Sequence, residues 1–166
     1  MLVRMLSSMS KWDGSTKVSR KDHFIPADTI SDLRTTGNTL STWECTGADI
    51  EDAVMALALN RAKVQKLTVA LLQPEELQKI EIYHSASVPG KAPGCNDPLI
   101  LGKHRDLVEL DYWRIGYLAE HILELVKDQK NYQTFSKAQV KSILEKYKTS
   151  LDISKMNESL VKDLGW

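Results

Sequence analysis

The first half of the chain alternates between short apolar runs and polar turns, a pattern typical of strands joined by short helices. Residues 67–72 are almost entirely apolar, which predicts a central strand covered on both faces. Residues 40–45 and 80–84 carry the β-branched, aromatic or alternating side chains of two further strands. Helices are predicted at residues 48–61, after an acidic opening turn, and at residues 74–79, which begin with proline.

Helical spacing dominates the second half. Apolar side chains recur about every 3.6 residues over residues 106–127, which predicts one long helix. Gly116 lies inside it and costs about 1 kcal/mol relative to alanine, so we expect close contact with another helix there. Ser136 and Gln139 have the spacing of a capping box, and Gly165 is placed to end a final short helix.

The pair Gly37-Asn38 leaves two structures open for the segment around it. In the first, a two-residue turn joins two strands, so that Thr36 faces Thr39 and Arg34 faces Ser41. In the second, residues 28–34 form a short helix closed by Gly37. The strand at residues 40–45 is predicted under both alternatives.

These elements predict a single α+β domain over residues 22–166. We expect a small mixed β-sheet within residues 22–86, with some parallel pairing because strands and helices alternate there. The helices at residues 48–61 and 106–127 would cover the sheet. The remaining helices, in a helical part spanning residues 104–166, would pack as a C-terminal cap.

Charge is segregated along the chain although its formal net charge is zero. Residues 1–21 carry five basic side chains and one acid, and residues 22–59 carry seven acids and one base. We expect residues 1–21 to form a basic flexible arm or an edge segment. A general nucleic-acid-binding protein would be strongly basic, so the balanced net charge argues against a nucleic-acid partner.

Several protein classes are excluded by what the sequence lacks. No apolar run approaches the roughly 20 residues that span a bilayer, and the first residues lack the long apolar core of a secretory signal. Cys45 and Cys95 form no disulfide framework and match no metal spacing. We therefore expect a soluble cytoplasmic protein with no membrane association.

A polar segment at residues 32–44, which we call the ribbon, is the candidate ligand site. One arginine among hydroxyls and carboxylates is able to bind a phosphate, because guanidinium pairs with such oxyanions through two hydrogen bonds. His23 or His104 would serve as acid or base. The competing interpretation is a solvated face with Arg34 paired to Asp32 or Glu44. The predicted ligand-binding residues are Arg34, Thr35, Thr36, Ser41, Thr42, Glu44, His23 and His104.

No motif in the sequence predicts a metal, a cofactor or a catalytic nucleophile. The four histidines lack helical metal-ligand spacing, and no glycine-rich phosphate loop or nucleophile elbow occurs. We therefore predict no metal site, no cofactor and no catalytic residue, and leave open whether the protein is an enzyme.

Two function classes follow from these observations. Segregated charge and several aromatic side chains are typical of an adaptor, inhibitor or regulatory subunit that binds a protein partner. The alternative is an enzyme or sensor for a phosphate-bearing, nucleotide-like small anion held by the ribbon. The candidate aromatic residues are Trp12, Trp43, Tyr112, Trp113, Tyr117 and Trp166, most of which we expect to be core or half-buried.

Overall fold

A six-stranded antiparallel sheet forms the centre of the protein, in a computed structural model that describes residues 1–12, 25–86 and 88–166. The strand order across the sheet is β4-β5-β2-β1-β3-β6. The strands are β1 (Leu2–Leu6), β2 (Leu40–Glu44), β3 (Leu67–Leu72), β4 (Tyr83–Ser85), β5 (His104–Val108) and β6 (Tyr132–Phe135). The helices are α1 (Ala27–Asp32), α2 (Ile50–Leu59), α3 (Pro74–Lys79), α4 (Pro98–Leu101), α5 (Tyr112–Leu125), α6 (Lys137–Tyr147) and α7 (Glu158–Leu164). The predicted α+β class is therefore confirmed.

The predicted parallel pairing is wrong, because every strand pair in the sheet is antiparallel. The prediction came from the order strand, helix, strand, which β2, α2 and β3 do follow. β2 and β3 run in the same direction, since both are antiparallel to β1. They do not pair with each other, because β1 lies between them.

β1 is an interior strand, so the predicted arm or edge segment is wrong for Leu2–Leu6. Leu2, Val3 and Leu6 are buried, and the strand pairs with neighbours on both sides. Hydrophobic burial on both faces of the sheet is what keeps so short a strand inside it. Residues 13–21 of the predicted arm lie outside the described residues.

Two hydrophobic layers enclose the sheet. On one face, Val3, Trp43 and Val69 pack against apolar residues of α2, α6 and α7. On the other face, Leu2, Leu40 and other strand residues pack mainly against α5. Helices therefore cover both faces, and the sheet extends beyond the predicted range of residues 22–86 because β1, β5 and β6 also belong to it.

Elements with a strong local signal have the predicted bounds. β3 and α3 occupy residues 67–72 and 74–79 as expected. Ser136 and Gln139 form both hydrogen bonds of the capping box that begins α6. α7 ends at Gly165, whose left-handed φ of 77° suits a glycine.

The long helix begins later than predicted. Leu107 and Val108 match its apolar spacing, yet they belong to β5. α5 begins after Asp111, whose side chain accepts a hydrogen bond from the backbone NH of Arg114. Such a cap ends the preceding extended segment and fixes the first turn of the helix.

Both alternatives for the segment around Gly37-Asn38 are partly confirmed. Residues 27–32 form the short helix α1, and Thr36 faces Thr39 across a tight turn with two backbone hydrogen bonds of 3.2 Å each. Gly37 and Asn38 both have φ of 59°, which a type I′ turn requires. The predicted pairing of Arg34 with Ser41 is wrong, because β2 pairs with β1 and β5 instead.

Candidate functional site

The ribbon residues lie in two different places. Arg34, Thr35 and Thr36 are exposed between α1 and the type I′ turn. Ser41, Thr42 and Glu44 lie on β2, and their alternation divides them between the two faces of the sheet. His23 lies outside the described residues.

On β2, each of the predicted site residues already has a partner on β5. Thr42 is buried and its hydroxyl donates to the carbonyl of Arg105 at 2.9 Å. Glu44 forms an ion pair with the Arg105 guanidinium. Ser41 donates to Asp106 at 3.2 Å. These contacts stabilise the pairing of the two strands.

His104 comes close to Ser41 but not in a nucleophile–base arrangement. Its Nε2 lies 3.8 Å from the Asp106 carboxylate that also accepts the Ser41 hydroxyl, so the aspartate separates the serine from the imidazole. Its Nδ1 lies 3.1 Å from the carbonyl of Val88, and its ring meets Trp43 edge-on at 5.5 Å between centroids. A nucleophilic serine needs direct contact with its base, and this arrangement does not provide it.

Arg4 is a structural guanidinium that the sequence reasoning missed. It donates to the carbonyls of Ser41 at 3.0 Å and Asp32 at 3.3 Å, and so joins β1 to β2 and α1. Burial lowers its pKa, and the nearby Asp32 carboxylate opposes that shift. The sequence did contain a signal for this role, because Arg4 is the one charged residue in the otherwise apolar strand Leu2–Leu6.

A second polar cluster joins α2 to α6 and to the start of β5. The Lys103 ammonium lies 2.7 Å from Asp52 and 3.3 Å from Asp49, and Tyr147 donates to the other oxygen of Asp52. The hydrogen bond to Asp52 is the main cause of a raised pKa at Lys103. Burial, reinforced by the same carboxylate, raises the pKa of Tyr147. All these groups are paired, which is typical of a structural network.

The two cysteines are buried, and burial raises the pKa of both thiols. A raised pKa keeps a thiol protonated and poorly nucleophilic. In the part of the chain that the structure describes, no three His, Cys, Asp or Glu side chains are grouped so that they could hold a metal ion.

The clearest surface feature is an aromatic stripe on α5, formed by Tyr112, Trp113 and Tyr117. These side chains are 80%, 70% and 50% exposed, respectively. The side of the same helix that packs into the core carries the buried residues Leu118, Ala119, Ile122 and Leu123. α5 is therefore apolar on two sides, and only one of them is covered by the sheet.

The aromatic stripe borders a groove of about 460 Å³ between α5 and α1. The Tyr112 and Trp113 rings stand nearly perpendicular, with an interplanar angle of 78° and 5.8 Å between centroids. A methyl group at Gly116 would have Ile25 as its nearest neighbour, at 3.9 Å, so the glycine leaves the groove open. The groove is lined by Ile25, Ile30, Tyr112, Trp113, Gly116, Tyr117 and Glu120.

The expectation that most of the six aromatic candidates would be core or half-buried is wrong, because only Trp12, Trp43 and Trp166 are. Trp12 and Trp43 are buried, and the Trp12 indole donates to Asp32 at 2.7 Å. Trp166 is half-buried, donates to Glu145 at 2.7 Å and lies under the Lys148 ammonium. Sequence composition identified the aromatic residues, but only the fold distinguishes the three on α5.

Comparisons of the chain with known protein families, with curated proteins and with solved structures found no match. Among the helices of the described residues, none is both long and apolar enough to cross a membrane.

Proposed function

We propose that this protein is a non-enzymatic interaction protein, an adaptor, inhibitor or regulatory subunit, that binds a protein partner through the groove between α5 and α1. The observation that supports this function is the aromatic stripe of Tyr112, Trp113 and Tyr117, exposed on a helix whose other face is buried. Exposed apolar patches of this kind mark interaction sites, and tyrosine and tryptophan supply much of the binding energy in protein interfaces.

The identity of residue 116 also supports a binding groove. A glycine inside a helix costs about 1 kcal/mol relative to alanine, and the structure has room for the alanine methyl group. Packing within the fold therefore does not require the glycine. Glycine at position 116 instead keeps the groove open, since any side chain there would project toward Ile25 and reduce the volume available to a partner.

The alternative function, binding of a phosphate-bearing small anion by the ribbon, has weaker support. Ser41, Thr42 and Glu44 are engaged with β5, as described above. Arg34 forms no ion pair with any residue in the described ranges, and it is exposed rather than set in a pocket. Loss of anion binding in an Arg34→Ala variant with unchanged stability would favour this alternative.

The test is cross-linking of the full chain to its partners in cells, followed by mass spectrometry. The variant Trp113→Ala/Tyr117→Ala removes two of the exposed rings. The matched control is Leu99→Ala, which removes a side chain that is 78% exposed on α4, away from the groove. Both variants are expected to unfold at nearly the same temperature as the unaltered protein.

We expect the aromatic variant to lose a specific partner that the Leu99→Ala control retains. The proposed function is wrong if the aromatic variant, folded normally, cross-links to the same partners with the same yield. It is also wrong if both variants lose the partner equally, because the loss would then report general surface hydrophobicity.

A further inference from the structure

We infer that the protein binds a phosphate group in a polar pocket at the end of the sheet where β1 finishes and β3 begins. This inference goes beyond the proposed function and does not depend on it. The pocket, which we call the sheet-end pocket, has a volume of about 180 Å³ and shares no lining residue with the groove. It is lined by Leu6, Ser7, Ser8, Met9, Lys66 and Thr68.

The pairing of β1 with β3 brings these side chains together from two distant parts of the chain. Leu6 is the last residue of β1, and it pairs with Thr68. Because the two strands are antiparallel, the chain beyond Leu6 continues alongside the residues before Thr68, which places Ser7 and Ser8 close to Lys66. The sheet-end pocket therefore combines hydroxyl groups from one segment with an ammonium group from the other.

Lys66 supplies a positive charge that no carboxylate compensates. It is exposed and forms no ion pair with any residue in the ranges that the structure describes. The carboxylate that contacts the Ser7 segment is Asp32, which accepts the backbone NH of Ser7 at 2.9 Å and the Trp12 indole at 2.7 Å. The guanidinium of the neighbouring Arg4 also balances the charge of Asp32. The charge at the pocket therefore favours an anion.

The hydroxyl groups around the pocket supply more protons than the protein accepts. Thr68 is only 5% exposed, and its hydroxyl lies 3.0 Å from that of Thr134. Two hydroxyls bonded to each other use one proton, so the second has no acceptor among residues 1–12, 25–86 and 88–166. The same holds for Ser8 and Ser10, whose hydroxyls are 2.8 Å apart. A ligand that only accepts hydrogen bonds would satisfy these donors.

A phosphate group matches the sheet-end pocket in charge, donor preference and size. Its oxygens accept hydrogen bonds in several directions, whereas a carboxylate presents two oxygens in one plane. Lysine is a common phosphate ligand in proteins, where it acts as a point charge. At about 30 Å³ per water molecule, the pocket has the volume of roughly six waters, so a phosphate group enters by displacing a few of them.

The test is calorimetric titration of the full chain at constant ionic strength with two probes, inorganic phosphate and glycerol 3-phosphate. The variant Lys66→Gln removes the charge and keeps most of the side chain, and Thr68→Val removes the buried hydroxyl and keeps the branched shape. The matched control is Lys91→Gln, at another exposed lysine that lies outside the pocket and has no ion pair in the described part of the chain. Thermal unfolding verifies that each variant is folded.

We expect saturable binding of at least one probe to the unaltered protein. Lys66→Gln should weaken it about tenfold, the factor for one charge-assisted contact, and Thr68→Val about fivefold, the factor for one neutral hydrogen bond. Lys91→Gln should leave it unchanged. Tighter binding of glycerol 3-phosphate would identify a phosphate ester as the ligand, and tighter binding of inorganic phosphate would identify the free ion.

The absence of saturable binding with both probes would overturn the inference. Equal weakening in Lys66→Gln and Lys91→Gln would also overturn it, because the anion would then respond to the overall charge of the protein. Unchanged binding in a folded Thr68→Val variant would refute the donor argument and with it the pocket. If Thr68→Val does not fold, Ser7→Ala replaces it, with the same expected weakening and the same refuting result.

Discussion

The substitution Gly116→Ala separates the stability of α5 from the openness of the groove. The added methyl carbon would lie 3.9 Å from Cδ1 of Ile25, an ordinary van der Waals distance, and no other atom of residues 1–12, 25–86 and 88–166 lies closer. Gly116 lies within the regular helix and lacks the positive φ of Gly37 or Gly165. The substitution therefore introduces neither a clash nor backbone strain.

We expect Gly116→Ala to raise the free energy of unfolding by about 1 kcal/mol, the difference in helix propensity between the two residues. For a chain of this size, this corresponds to an increase of about 2–4 °C in the unfolding temperature. Partner binding should weaken at the same time, because the methyl group occupies the groove floor. Urea unfolding followed by circular dichroism gives the first quantity, and the cross-linking assay gives the second.

The control for this prediction is Gly165→Ala. A methyl group at Gly165 has no atom of the described residues within 4 Å, but the φ of Gly165 is 77°, where a Cβ costs about 1–2 kcal/mol. We therefore expect opposite signs, with Gly116→Ala stabilising and Gly165→Ala destabilising the protein. A loss of stability in Gly116→Ala would show that close packing requires the glycine, and would refute the argument for an open groove floor.

Three further predictions concern the core and its charges. Arg4→Met should lower the free energy of unfolding by about 2 kcal/mol in urea titration, since it leaves two carbonyls without their donor. Arg34 is exposed and forms no ion pair with a described residue, so Arg34→Met should change the free energy of unfolding by less than about 0.5 kcal/mol. Equal losses in the two variants would contradict both assignments. Burial lowers the pKa of His121, so the unfolded chain binds the extra proton first, and stability should fall as the pH drops below about 6.5. In His121→Leu, the midpoint of urea unfolding should fall less steeply as the pH drops. An unchanged pH dependence would show that other groups cause it. The pKa of Tyr147 is raised, so unfolded tyrosine ionises first, and stability should fall as the pH rises above about 10. In Tyr147→Phe that alkaline fall should be smaller, and an equal fall would show that Tyr147 does not contribute to it.

Strong local signals were sufficient to predict several elements with their bounds. An apolar run bounded by polar residues specified β3, and Ser136 with Gln139 specified the start of α6, because those interactions form within a few residues. Leu2–Leu6 was misassigned because an arginine interrupts a short apolar run. Its place in the sheet depends on partners more than 35 residues away along the chain.

The candidate site shows the same division. The composition of residues 32–44 identified their arginine and hydroxyl groups as a candidate site. The sequence analysis paired Arg34 with Ser41 in a hairpin, and that pairing required the segment before Gly37 to be the strand partner of β2. The partners of β2 are β1 and β5, and hydrogen bonds to those strands engage Arg4, Ser41 and Thr42. The sequence shows the aromatic residues of α5, but it does not show which of them are exposed to solvent.

By itself, the sequence determined the α+β class, the apolar periodicity of α5, the glycine within it and the segregated charge, because each depends on residues close together along the chain. Only the tertiary structure decided which strands are neighbours and which apolar side of α5 is covered. The sheet buries the side bearing Leu118 and Ile122, and Tyr112, Trp113 and Tyr117 remain exposed on the other. A helix with two apolar sides does not indicate which one belongs to the core, since that depends on the position of distant strands.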